Sequence, residues 1–230
     1  MLKFSLSVAA LVALGSAAYA ADAGGDFIAT WAASPQPIWG ADFLVPVKVP
    51  RNFWNQTLRE VATISQGGKQ VRLVLSNLYG TISLPIAAAH VALAGENGAI
   101  RPGSDHAVTF DGQPGVVVPP GAEWISDPVA FQVDPLSKLA VSLYFQGVTP
   151  VTTTHWEGRD TAYITDGNTV GDPTIKPSST MTAKPILTGI LVDAPADAKA
   201  VVTFGDSITD GNGSKDDQTH RWPDFLALCQ

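Results

Sequence analysis

Val71-Arg72-Leu73-Val74-Leu75-Ser76 alternates side chains in a pattern that only an extended backbone sorts cleanly. Strand side chains repeat every two residues, so Val71, Leu73 and Leu75 share one face while Arg72 and Ser76 lie on the other. On its N-terminal side, residues 57–65 and the turn Gln66-Gly67-Gly68-Lys69 predict a hairpin with this strand. On its C-terminal side, residues 87–94, 116–118, 138–145, 151–156 and 185–192 read as further strands, separated by clusters of Gly, Pro, Asn and Asp. No long stretch of helical period interrupts residues 27–193. About eight strands at this spacing predict a mainly β domain, sandwich or jelly-roll-like. Residues 166–184, rich in Gly, Pro, Ser and Thr, read as a long surface loop inside that domain, because another strand follows them.

The character changes after Asp193-Ala194-Pro195-Ala196-Asp197-Ala198. Ala200-Val201-Val202-Thr203-Phe204 is a continuous apolar run, the pattern of a strand covered on both faces in a parallel sheet. A helix is predicted from Trp222, with Pro223 suited to its first turn and Phe225, Leu226 and Leu228 supplying apolar contacts. The expected organisation is therefore a leader over 1–20, a β-rich domain over 21–193, and the start of a second unit over 199–230.

The leader follows from Met1-Leu2-Lys3, the apolar run 6–14 and the small residues up to Ala18-Tyr19-Ala20. That order is a secretory signal peptide cleaved after Ala20, so the mature chain is expected to be secreted or periplasmic. The run is about half the ~20 residues that span a bilayer, so no membrane span is expected. Removing Lys3 shifts the formal net charge from -7 to -8. Nucleic acid is a poor match for that charge. Cys229 is the one cysteine and has no internal partner, so the fold rests on its core rather than on disulfides.

The chemistry concentrates in Phe204-Gly205-Asp206-Ser207-Ile208-Thr209-Asp210-Gly211. An apolar strand runs into Gly205, which permits a sharp turn, and Ser207 is presented at the strand's carboxyl end, where open α/β sheets bind ligands. A serine hydroxyl there attacks an ester carbonyl if a base takes its proton, while its own N–H helps hold the oxyanion. Ser207 has Gly205 at one second neighbour but Thr209 at the other, so this is not the nucleophile elbow of α/β-hydrolases. Gly-Asp-Ser alone is a weak signal, arising by chance in roughly one chain in twenty of this length. The apolar strand before it and Ile208-Thr209-Asp210-Gly211 after it make the signal specific.

Over residues 204–211 the sequence resembles the first block of the GDSL family, also called SGNH hydrolases. Arg221-Trp222-Pro223-Asp224-Phe225-Leu226-Ala227 is similar to the helix following that block in secreted bacterial members. Trp31-Ala32-Ala33-Ser34-Pro35, Thr57-Leu58-Arg59 and residues 71–77 are similar to the β-rich region that precedes the catalytic domain in a subset of them. The resemblance implies an α/β, flavodoxin-like hydrolase domain from residue 199. It implies a serine esterase acting through an acyl-serine intermediate, with Ser207 as nucleophile and oxyanion donor and Gly205, Asp206, Asp210 and Gly211 as supporting motif residues. It implies no cofactor and no metal, and a small-molecule or carbohydrate ester as substrate. The family adds a later Gly, a later Asn and an Asp-x-x-His base, which have no counterpart among the 23 residues after Ser207. A doubly wound sheet needs on the order of 150 residues, so the expectation is a catalytic domain truncated after its first block and inactive in this form. The alternative is a β-sandwich carbohydrate-binding module with a vestigial GDSL segment.

Among the four histidines, His155 stands in a polar cluster, Thr154-His155-Trp156-Glu157-Gly158-Arg159-Asp160. Strand spacing puts His155 and Glu157 on one face, which admits a metal pair, and His155 is also a conceivable base for Ser207. With no third ligand visible, a structural or surface role is the preferred reading. His90 reads as a half-exposed strand residue, and His106 and His220 as loop residues. Asn212-Gly213-Ser214-Lys215-Asp216-Asp217 reads as a solvated loop at the mouth of the site. Trp31, Trp39, Trp54, Trp124 and Trp156 are read as core fillers before sugar platforms.

Overall fold

The computed structural model describes residues 26–40, 48–195 and 197–229; the predicted leader lies outside them. Two antiparallel sheets face each other, as expected of a mainly β chain. In the first, Leu187–Asp193 lies between Phe27–Ala32 and Gly68–Ser76, and Gly68–Ser76 also pairs with Glu123–Ile125 and Val129–Val133. In the second, the order is Ser179–Met181, Ala162–Asp166, Gln56–Thr63, Lys138–Phe145, Ala88–Leu93 and His106–Val108. Val71, Leu73 and Leu75 are fully buried in one core with Leu58, Val91, Leu139, Val141 and Leu143 from the facing sheet. Arg72, on the opposite face, packs its guanidinium over the Phe27 ring at 5.2 Å.

The predicted hairpin between 57–65 and 71–76 does not form. Gln56–Thr63 pairs with Lys138–Phe145 and Ala162–Asp166 in one sheet, whereas Gly68–Ser76 belongs to the other. The intervening turn crosses the sandwich instead of folding a strand back on itself. It is pinned by Asp193, whose Oδ1 accepts the N–H groups of Lys69 and Gln70 at 2.6 Å each.

Residues 166–184 are more than a surface loop. They contain the short strand Ser179–Met181 and lead into Lys184–Pro185, and Thr169, Val170 and Asp172 turn their carbonyls onto the buried Arg59 guanidinium. A second apolar cluster of Val61, Ala92, Ala94, Ile100 and Ala140 forms on the Val61 face of the second sheet, and Tyr163 packs against it. Both faces of Gln56–Thr63 are thereby covered, which is why Arg59 and Glu60, pointing to opposite faces, are each buried.

Beyond Asp193 the chain leaves the sandwich. Residues 201–205 pair with no strand, and Val201, Val202 and Phe204 are 66%, 86% and 99% exposed. A run of this kind is held in a sheet by neighbours on both edges, and the described residues supply none. The predicted helix does form, as Trp222–Ala227 with Pro223 in its first turn and the Asp224 carboxylate accepting the Arg221 N–H at 2.8 Å. Among the described residues no helix is long and apolar enough to cross a membrane.

Candidate functional site

Ser207 opens a single helical turn, Ser207–Asp210, whose form is dictated by its neighbours. Asp206 caps it: the backbone is extended and Oδ1 accepts the Ile208 N–H at 2.9 Å. Gly211 closes it in the left-handed region at φ 97°, and Asn212 donates its N–H to the Ser207 carbonyl at 2.7 Å. A Cβ on Gly211 would come within 2.3 Å of Arg221 Cγ, and one on Gly205 within 2.1 Å of Thr209 Oγ1. Both motif glycines are therefore required by close approach. Trp222 ties the following helix back through its Nε1 to Thr209 Oγ1 at 3.3 Å.

Ser207 is exposed, and among the described residues nothing hydrogen-bonds its hydroxyl. Its hydroxyl is set out in solvent, with no base beside it among the described residues. His220 stacks on Phe225 at 5.9 Å, and His106 lies in the strand His106–Val108 rather than a loop, its ring on Phe131 at 4.4 Å. His90 is half-buried in Ala88–Leu93, where Nδ1 meets Asp105 Oδ2 at 2.8 Å.

His155 is joined to the serine turn. It sits on Thr153–His155, the middle strand of a small sheet between Gln36–Pro37 and Lys184–Pro185. Its Nε2 lies 2.8 Å from Asp210 Oδ1 and its Nδ1 lies 2.9 Å from the Ser34 carbonyl. The ring thus bridges the serine turn and the chain at Ser34. The metal pair with Glu157 does not form, because Glu157 Oε2 accepts from Arg159 Nη2 instead. Among the described residues no group of three His, Cys, Asp or Glu side chains is arranged to hold a metal ion.

Residues 212–217 are not a free loop either. Asp217 takes the Thr161 N–H at 2.6 Å and the Thr161 hydroxyl at 2.7 Å on its carboxylate, and its own N–H donates to the Arg159 carbonyl at 2.9 Å. Its carbonyl accepts from Lys138 Nζ at 3.0 Å. Arg159 Nη1 reaches both the Ser214 carbonyl and Asp216 Oδ1 at 3.3 Å. Beneath this contact Asp160 is buried, and burial pushes its carboxyl above the usual range against the opposing charges of Lys184 and Lys138. A polar cleft of about 400 Å³ opens beside it, lined by Trp156, Glu157, Arg159, Thr161, Thr180 and Asp216. A larger, apolar cleft of about 520 Å³ contains no residue of the 205–217 segment.

Gly205, Asp206, Ser207, Asp210 and Gly211 thus form one turn, as their adjacency implies. The sequence reading named Arg159 in a polar cluster and Asp217 in a solvated loop but missed that they meet, and it missed Thr161, whose only signal was its polarity. It also placed Trp54 in the core, whereas that ring is 67% exposed. Trp39 and Trp156 pack on each other at 4.9 Å. In comparison with known proteins, no family model matches the chain, and no curated protein matches it.

Proposed function

We propose that this chain carries the nucleophile segment of an exported GDSL-type serine ester hydrolase, acting on small-molecule or carbohydrate esters. The observation that carries the reading is the Asp206-capped turn, bounded by two sterically required glycines, that sets the Ser207 hydroxyl into solvent. In the reaction, Ser207 Oγ attacks the ester carbonyl and gives up its proton to a base. The alcohol leaves with a proton, and water then releases the acid from the acyl-serine. No described group is placed to take the Ser207 proton, a step for which the family resemblance implies an Asp-x-x-His base.

The test uses the protein as its native host exports it. Treatment with a fluorophosphonate followed by peptide mapping is expected to find the label on Ser207, with ester hydrolysis lost in step and lost again in Ser207→Ala. Hydrolysis that survives Ser207→Ala removes this reading. The exposed Trp54 and the Trp156 cleft favour a second reading, a carbohydrate-binding module. Saturable glycan binding that persists in Ser207→Ala, without turnover, selects it.

A further inference from the structure

We infer that His155, on the β domain, is a positioning residue for Ser207, acting through Asp210; this rests on the esterase reading above. The segment before Ser207, residues 201–205, has no pairing and its apolar side chains lie in solvent, so it fixes nothing. The turn is held instead from its far side. Asp210 is the last residue of Ser207–Asp210, one helical turn from Ser207, and its carboxylate is gripped by His155 Nε2 at 2.8 Å. The ring cannot swing freely, because Nδ1 is bonded to the Ser34 carbonyl at 2.9 Å and its strand is paired on both sides. Seven residues further on, Asp217 is plugged into Arg159, Thr161 and Lys138.

The segment 210–217 is therefore clamped at both ends to the sandwich, and Ser207 projects from the first clamp. A charge-assisted hydrogen bond with geometric definition restricts where a short turn can sit. Reaction rates fall steeply when a nucleophile is displaced by an ångström. The β domain is thus part of the site's framework and not an appended module, and the residue joining them is His155.

The decisive measurement pairs hydrogen exchange with kinetics. In the 230-residue chain, His155→Ala is expected to speed exchange of the Ile208, Gly211 and Asn212 amides roughly tenfold or more, while amides of Lys138–Phe145 stay unchanged. His155→Gln, which keeps a donor for Asp210, restores most of the protection. In the exported esterase, His155→Ala lowers kcat about tenfold or more at unchanged KM, and His155→Gln recovers most of it. Unchanged exchange in His155→Ala overturns the clamp. Faster exchange with unchanged kcat overturns the positioning role while leaving Ser207 as nucleophile. Hydrolysis independent of Ser207 removes the esterase reading and with it any role of His155 toward it, while exchange still decides whether the clamp exists.

Discussion

Glu60→Gln is expected to stabilise the β domain by several kcal/mol at pH 8 and to leave it almost unchanged near pH 4.5. Glu60 lies on the core face of Gln56–Thr63, between Leu58 and Ala62 and across from Val141. It is fully buried, and neither carboxyl oxygen has a hydrogen-bond partner among the described residues. The nearest opposing charge is occupied elsewhere, for Lys184 Nζ donates to the carbonyls of Val61 and Asp160 at 2.8 Å each. Burial consequently pushes the Glu60 carboxyl up from 4.5 to about 8, with Lys184 pulling only partly against it.

A carboxyl with a raised folded-state pKa binds its proton more tightly when folded. Its contribution is fully present below the unfolded value and is lost as pH rises through the folded one. At about 1.4 kcal/mol per unit over the interval from 4.5 to about 8, the loss is on the order of 5 kcal/mol. Lys184 runs the other way: burial lowers its pKa, so its penalty is relieved only as pH climbs from that lowered value toward 10.5. Glutamine keeps the shape of the protonated acid and cannot ionise. Urea unfolding at pH 5 and pH 8 checks this, and parallel profiles for wild type and Glu60→Gln would sink it.

The same strand shows how far the sequence could be read. Alternation at 71–76 sorted Val71, Leu73 and Leu75 into the core, because burial of one face is a local property with a period of two. Alternation does not say which strand lies alongside, and Gly67-Gly68 serves a turn across the sandwich as well as a hairpin. Arg59-Glu60 is a charged pair that composition would place on a surface. Only the wrapping by residues 167–172 on one side and by the facing sheet on the other buries both. In the site, the Gly-Asp-Ser turn was legible because the Asp206 cap and the left-handed Gly211 both act within the turn itself. The His155–Asp210 contact spans 55 residues and is set by tertiary packing, so no local pattern announces it. The apolar run 200–204 states a need for cover on both faces, which is a different matter from finding that cover among the described residues.

Arg59→Ala is expected to cost about 3–5 kcal/mol and to loosen the wrap over the second sheet before the core itself opens. The Arg59 side chain is 1% exposed and makes five hydrogen bonds. Nε donates to Ser142 Oγ at 2.8 Å and Nη1 to the Gly98 carbonyl at 2.8 Å. Nη2 serves the carbonyls of Thr169, Val170 and Asp172 at 2.9, 3.2 and 3.0 Å. Burial lowers the guanidinium's affinity for its proton, and the charges of Asp105 and Asp172 counter that. A guanidinium stays charged throughout, so the five acceptors are its solvation shell. Truncation removes the donor from all of them at once, and carbonyls held by the wrap cannot all turn to water. Lysine does not substitute, since one ammonium on a flexible stem cannot reach acceptors arranged around a planar fork. Arg59→Lys is therefore expected to recover less than half of the loss. Denaturant unfolding gives the total. Limited proteolysis locates it, with new cleavage expected within residues 167–178 at denaturant concentrations where Lys138–Phe145 still resists exchange. A loss under about 1 kcal/mol for Arg59→Ala, or cleavage spread evenly over the sandwich, would mean the wrap is held instead by Thr57, whose hydroxyl donates to the Gly167 carbonyl at 2.7 Å and accepts the Thr169 N–H at 3.0 Å.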